Sequence, residues 1–385
     1  MTPGARVAAA IEILDDILRG EPAERALTAW ARHSRFAGSK DRAAVRDHVF
    51  DVLRRKRSCA AQGGAMTGRG LMLGLLRQSD VDPATLFTGV GHAPEPLNDM
   101  DGTGHAPKAP EDAFDIPAWL WPHVQESLGD NASRVAEALR SRAPVHLRVN
   151  LAKTSRVAVQ RDLADDGIFT DPHASADTAL EITEGARALR NSRAYQTGLV
   201  ELQDGASQAV VAALPLSPDI VVLDYCAGGG GKALAIAARG VTNVTAHDIA
   251  PARMRDLPDR ARRAGVAIKI APPKRVSGLY DVVLCDAPCS GSGAWRRDPD
   301  GKWRLTQARL DELTRIQAEI LDRAKELVSP NGMLAYATCS LFDRENSAQI
   351  DAFLKRNPAW QCHFRHSWTP LDGTDGFYTA HLTRV

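Results

Sequence analysis

The 385-residue chain sets 48 Lys and Arg against 47 Asp and Glu and is 44% apolar, so it can bury a sizeable core and carries no global charge marking a nucleic-acid or membrane-surface binder. Its six cysteines are too few and too scattered for a disulfide framework, and no apolar run approaches the roughly 20 residues of a membrane span. Acids inside the first apolar stretch argue against a secretion signal, so two or three domains in a reducing cytoplasm are expected.

From Arg6 to Leu18 the residues Val7, Ala10, Ile11, Leu14, Ile17 and Leu18 recur at helical spacing, and Gly20 ends the pattern. Further helices are predicted over 23–31, 39–55 and 70–78, so residues 1–86 read as an all-helical domain. Arg54, Arg55, Lys56 and Arg57 form a cationic run. It reads as a solvated helix face, with an RNA phosphate contact as the alternative. Residues 87–117, rich in Gly, Pro, His and Asp, read as an interdomain linker. His92 and His105 there lack cysteines or acids at ligand spacing, and no metal is expected. Residues 118–198 form a small α+β unit with strands at 145–150 and near 179–182 around a helix at 155–166. Arg148 and Asn150, on alternate positions, face either RNA or the solvated side of its sheet.

Residues 199–385 alternate strand and helix, which specifies a mostly parallel, doubly wound α/β sheet. A helix carrying Gln203, Asp204 and Ser207 opens it, and strands are predicted at 220–225, 243–247, 266–270, 281–285 and 333–338. Helices are predicted over 232–239, 252–264, 306–327 and from Asp343 to about Arg356, with closing edge strands at 360–364 and 378–383. The first strand runs into the glycine turn Cys226, Ala227, Gly228, Gly229, Gly230, Gly231 and Lys232. Cys226 and Ala233 stand where a phosphate loop needs its first glycine and its hydroxyl, so that motif is disfavoured. A tight nucleoside-type cofactor turn remains, with Asp248 at the next strand tip as a ribose acceptor or a helix cap. Asp286 and Cys289 follow one strand and Cys339 another, at the edge where such sheets gather ligands. Two thiols there suggest covalent chemistry, whereas Cys59, Cys285 and Cys362 read as inert packing.

The motifs DAPCSGSG, YATCS followed by Glu345 and Asn346, LDYCAGGGGK, LQDGASQ and TDGFY together resemble the Sun/Nop family of RNA cytosine-5 methyltransferases over most of residues 144–385. The segment SKDRAAVRDHVFDVLRR is similar to the NusB-like RNA-binding domain of its bacterial, RsmB-like branch. The resemblance implies a Rossmann-like class I methyltransferase domain and S-adenosylmethionine lying along Cys226 to Lys232, with Asp248 on its ribose. It further implies Cys339 as the nucleophile at C6 of a cytosine, Asp286 holding the base at N3, Cys289 assisting release and Lys232 orienting the loop. The implied partner is RNA, 16S rRNA or a small-subunit precursor, taken up as an opened strand by a monomer with no membrane attachment. The same chemistry on tRNA, a DNA methyltransferase using Cys289, and an inactive RNA-binding assembly factor are the alternatives. The chain departs from the family at Gly228, Gly229 and Ala233, and has Ala271, Pro272 and Pro273 where an acid usually meets the adenine.

Overall fold

The computed structural model describes residues 1–272 and 276–385, which form two compact units. One comprises Met1–Arg142 with Trp295–Leu305, the other Ala143–Ala294 with Thr306–Val385. Pro273 of the departure noted above lies outside the described residues.

The first unit is helical. Helices Pro3–Leu18, Ala23–His33, Ser39–Arg54, Lys56–Gly63 and Gly68–Gln78 turn the apolar stripes read from the sequence onto one core of Val7, Ile13, Leu14, Val49, Leu53, Leu71 and Met72. The cationic run is not a solvated face. The helix breaks at Arg55; Arg54 is buried and donates to Asp51, and Arg57 donates to Asp112 at 2.6 Å. Cations facing carboxylates of their own unit are drawn inward, which periodicity alone does not reveal. The Gly/Pro-rich stretch is anchored along these helices: Arg69 grips Asp101, and Asp115 is fully buried against the Ser58 hydroxyl and Arg140.

Trp295–Leu305 belongs to this helical core although it follows the candidate catalytic loop in sequence. Its helix Pro299–Arg304 offers Asp300 to the amide of Ala23 at 3.0 Å. Arg54 donates to the Arg296 carbonyl at 2.7 Å, and Trp303 Nε1 donates to the Leu53 carbonyl at 2.6 Å. Lys302, wholly buried, donates to the Arg54 carbonyl, and desolvation pulls its amine down to about 7.

The second unit holds two sheets. The small one has strands β1 (Val145–Val149), β2 (Phe169–Pro172), β3 (Ala179–Glu184) and β4 (Val200–Leu202) in the antiparallel order β2-β3-β1-β4. Sequence periodicity missed β2 and absorbed β4 into a helix, which in fact starts at Gly205 with Asp204 as its cap. Arg148 and Asn150 are also corrected, since both are buried. Asn150 Nδ2 donates to the carbonyls of Gly198 and Ala264, so this sheet face is covered, not solvated.

The large sheet comprises β5 (Val221–Asp224), β6 (Asn243–Ala246), β7 (Lys269–Ile270), β8 (Tyr280–Asp286), β9 (Val328–Thr338), β10 (Trp360–Trp368) and β11 (Phe377–Arg384), in the order β10-β11-β9-β8-β5-β6-β7. β5 pairs parallel with β6 and β8, and β8 parallel with β9, while β11 pairs antiparallel with both β9 and β10. β11 is therefore internal, and only β10 closes the edge. Near-continuous apolar strands such as β8 are buried on both faces, by one core around Val210, Leu234 and Leu257 and another around Leu321, Ile350 and Phe353. The chain starts mid-sheet at β5, moves out to β7 and returns at β8. That reversal opens a crevice at the carboxyl ends of β5 and β8.

Candidate active site

The glycine turn leaves β5 at this crevice. Gly228 and Gly230 have φ of +54° and +78°, conformations that favour glycine, and a Cβ on Gly230 would lie 2.4 Å from Leu257 Cδ1. Asp248, 2% exposed, closes the turn: Oδ2 accepts the Gly228 amide at 2.9 Å and Oδ1 the Ala250 amide at 2.8 Å. Arg253, mostly exposed, donates to Oδ2 at 3.1 Å. Asp248 is thus a turn closer and local cap with one weakly held partner. From the small sheet, Arg148 reaches the Gly231 carbonyl at 2.8 Å and the Gln203 side chain, bracing the turn from below.

At the end of β8, Asp286 pairs with buried Lys232 at 2.6 Å, and the Lys232 ammonium also lies 4.5 Å over the Phe377 ring. Asp224, at the end of β5, is wholly buried; desolvation first and Asp286 second push its carboxyl up to about 7. Burial likewise pushes the Cys226 thiol well up.

The loops after β8 and β9 bring Cys289 Sγ and Cys339 Sγ to 3.4 Å. The bond to Cys339, with burial second, raises the Cys289 thiol well above its ordinary range. Either sulfur can donate in that contact. Backbone bonds fix the spacing, with the Gly293 amide on the Cys339 carbonyl at 3.0 Å and the Ala287 amide on the Ala337 carbonyl at 2.8 Å.

Behind the sulfurs, fully buried Glu345 accepts from the Ser290 amide at 2.8 Å, the hydroxyls of Ser290 and Ser340, and Gln317 Nε2 at 3.0 Å. Asn346 accepts from Thr338 and donates to the Ser340 carbonyl at 2.9 Å. One carboxylate thus ties the residue after each cysteine to the same anchor. Cys59 and Cys285 are fully buried, with the Cys59 thiol pushed up to about 12 by desolvation.

The family described as 16S rRNA methyltransferase RsmB/F matches residues 211–383, and the ferredoxin-like domain of RsmF/B-like methyltransferases matches residues 116–188. A ribosomal RNA small subunit methyltransferase B of Salmonella arizonae is 34% identical over 338 residues, covering 82% of this chain and 73% of that protein. The chain belongs to the RsmB/F family. A Vibrio cholerae relative of the same name is 34% identical over 283 residues, 70% of this chain and 65% of the relative's own length. A methyltransferase homolog protein from Pyrococcus horikoshii shares the fold of this RsmB/F chain, with a TM-score of 0.63 and 22% identity over 72% of this chain and 98% of that one.

In this RsmB/F chain one crevice gathers Cys226 to Lys232, Asp248 and Asp286, and the loops after β8 and β9 gather Cys289 and Cys339. Sequence reasoning missed Asp224 and Arg148 as parts of the site. An acid closing the first strand was the available signal for Asp224; Arg148 gave none, because its partners lie 55 and 83 residues away.

Proposed function

We propose that the chain methylates C5 of a cytosine in 16S rRNA, with the helical and small α+β parts (residues 1–86 and 118–198) binding the RNA and residues 199–385 carrying the chemistry. The observation that carries this reading is the pair of sulfurs 3.4 Å apart on loops after adjacent parallel strands, within hydrogen-bond reach of each other. The turn fits a nucleoside-bearing cofactor: two glycines hold left-handed backbone, and exposed Arg253 is the Asp248 partner that a ribose hydroxyl would replace. S-adenosylmethionine, when bound there, supplies an electrophilic methyl group.

Cys339 Sγ, as thiolate, adds to C6 of the ring and forms a C–S bond, which makes C5 electron-rich. The Lys232–Asp286 pair provides a proton at N3, where the displaced electron pair would otherwise build negative charge. After methylation the N3 proton returns to the Lys232–Asp286 pair, the C5 proton leaves to solvent base, the C6–S bond breaks, and the C5=C6 double bond re-forms. Cys289, hydrogen-bonded to the departing sulfur, assists that release.

The test compares Cys289→Ala with Cys339→Ala on 16S rRNA and a methyl donor. Cys289→Ala should accumulate an RNA adduct stable to denaturing gel, and Cys339→Ala should form neither adduct nor product. Adducts from Cys339→Ala alone would move the nucleophile to Cys289. Wild-type protein that methylates no RNA would leave an assembly factor.

A further inference from the structure

The small sheet holds a cluster that methyl transfer does not use. His146 on β1 stands directly opposite Glu181 on β3 in the antiparallel register, so both side chains share one sheet face. His173, just past β2, brings its ring to 4.6 Å from that of His146, and one ligand atom from each of the three residues lies within 4.8 Å of the others. The His146 side chain is wholly inaccessible to solvent, yet among the described residues its Nε2 has no hydrogen-bond partner. Its Nδ1 accepts the Gly205 amide at 3.2 Å and lies 3.2 Å from Asp204 Oδ2. Either tautomer leaves Nε2 orphaned, a costly arrangement for a buried polar atom. Turning Nδ1–H toward the carboxylate, with loss of the Gly205 amide bond, frees the Nε2 lone pair. A carboxylate behind an imidazole is the usual outer support of a metal ligand.

We propose that His146, His173 and Glu181 bind one divalent ion of the zinc class, with Asp204 orienting His146. Two imidazoles and a carboxylate suit this metal, and a water would complete four-coordination. Ligand atoms about a tetrahedral zinc lie about 3.4 Å apart, so separations of up to 4.8 Å would close by as much as about 1.4 Å through side-chain torsions. The ion would tie β1 to β3 and to the segment after β2, and through Asp204 to the first turn of helix Gly205–Ala212. Its role is structural. No sequence motif announces it, because the ligands lie 27 and 8 residues apart on separate elements, without helical or knuckle spacing.

The full chain, stripped with chelator, is titrated with Zn2+ against a chromophoric competitor and with Co2+ by visible absorption. One equivalent is expected, with raised thermal stability, Co2+ d–d bands and no intense near-ultraviolet thiolate band. His173→Ala and Glu181→Gln, both partly exposed and expected to fold, should each weaken binding at least about tenfold. Three results would overturn the site: no binding at micromolar Zn2+, unchanged affinity in both variants, or a thiolate band, which would move the ion to the cysteine pair.

Discussion

Glu345 is where a small change should separate folding from catalysis. Glu345→Ala removes all four acceptor contacts and leaves the Ser290 amide facing a void, with Ser340 and Gln317 also short of an acceptor. Breaking a buried, charge-assisted cluster from one side costs roughly 3–5 kcal/mol, enough to lower the melting temperature by about ten degrees or more in a domain of this size. Glu345→Gln keeps the shape. Its amide oxygen can replace Oε1 opposite the Ser290 and Gln317 N–H groups, and its NH2 can face the two hydroxyls, which rotate to accept. The loss is then about 1–2 kcal/mol, as charged bonds become neutral ones. Because Ser290 and Ser340 each adjoin a cysteine, loosening this anchor lets the sulfurs drift, and about 1 Å of misplacement can cost on the order of 100-fold in rate. Single-turnover methyl transfer, measured beside thermal denaturation, should show Glu345→Gln folded but slowed at least tenfold. A Glu345→Ala protein with wild-type melting and wild-type rate would refute the idea that this carboxylate sets the sulfur spacing.

Other outcomes follow from the same geometry. Gly230→Ala forces left-handed backbone on a residue whose Cβ meets Leu257 at 2.4 Å, so it should lose about 2–4 kcal/mol in denaturant unfolding, whereas Gly229→Ala, meeting only the tip of Arg260 at 3.2 Å, should be near neutral. The folded Asp224 carboxyl titrates near 7 against an ordinary 3.8, so between those values the folded state holds a proton that the unfolded chain has released. Stability from this residue is therefore present below the window and falls as pH rises through it. Asp224→Asn should remove that slope, gaining on wild type by a few kcal/mol between pH 5 and 7.5 in urea melts, and an unchanged slope would contradict the assignment.

The large sheet was legible because parallel strands buried on both faces read as short apolar runs, most of them stopping at a glycine, an acid or a proline and the β9 run at Thr338 and Cys339. Cys289, Cys339, Asp286 and the glycine turn stand at those stops, so their neighbourhood could be inferred before any coordinates. Less legible was whatever depends on which face a neighbour covers. Arg148 and Asn150 alternate like solvent-facing residues, yet they meet Gly231 and Ala264, far along the chain. β4 vanished into a helical pattern because three residues carry too little periodicity, and its pairing with β1 is a tertiary fact. The cations at 54–57 misled in part for the same reason: Asp51 stands one helical turn before Arg54, but Asp112 and the Arg296 carbonyl lie far along the chain from Arg57 and Arg54.

Trp295–Leu305 also bears on the order in which the molecule can be made. Residues 1–142 leave the ribosome first, but the amide of Ala23 and the carbonyls of Leu53 and Arg54 find Asp300, Trp303 and Lys302 only after those have been translated. At about 5–20 residues per second these helices wait roughly 15–60 seconds for their last piece. The amino-terminal part therefore matures late, and a transcript cut short before Trp295 would yield helices with an unfilled core.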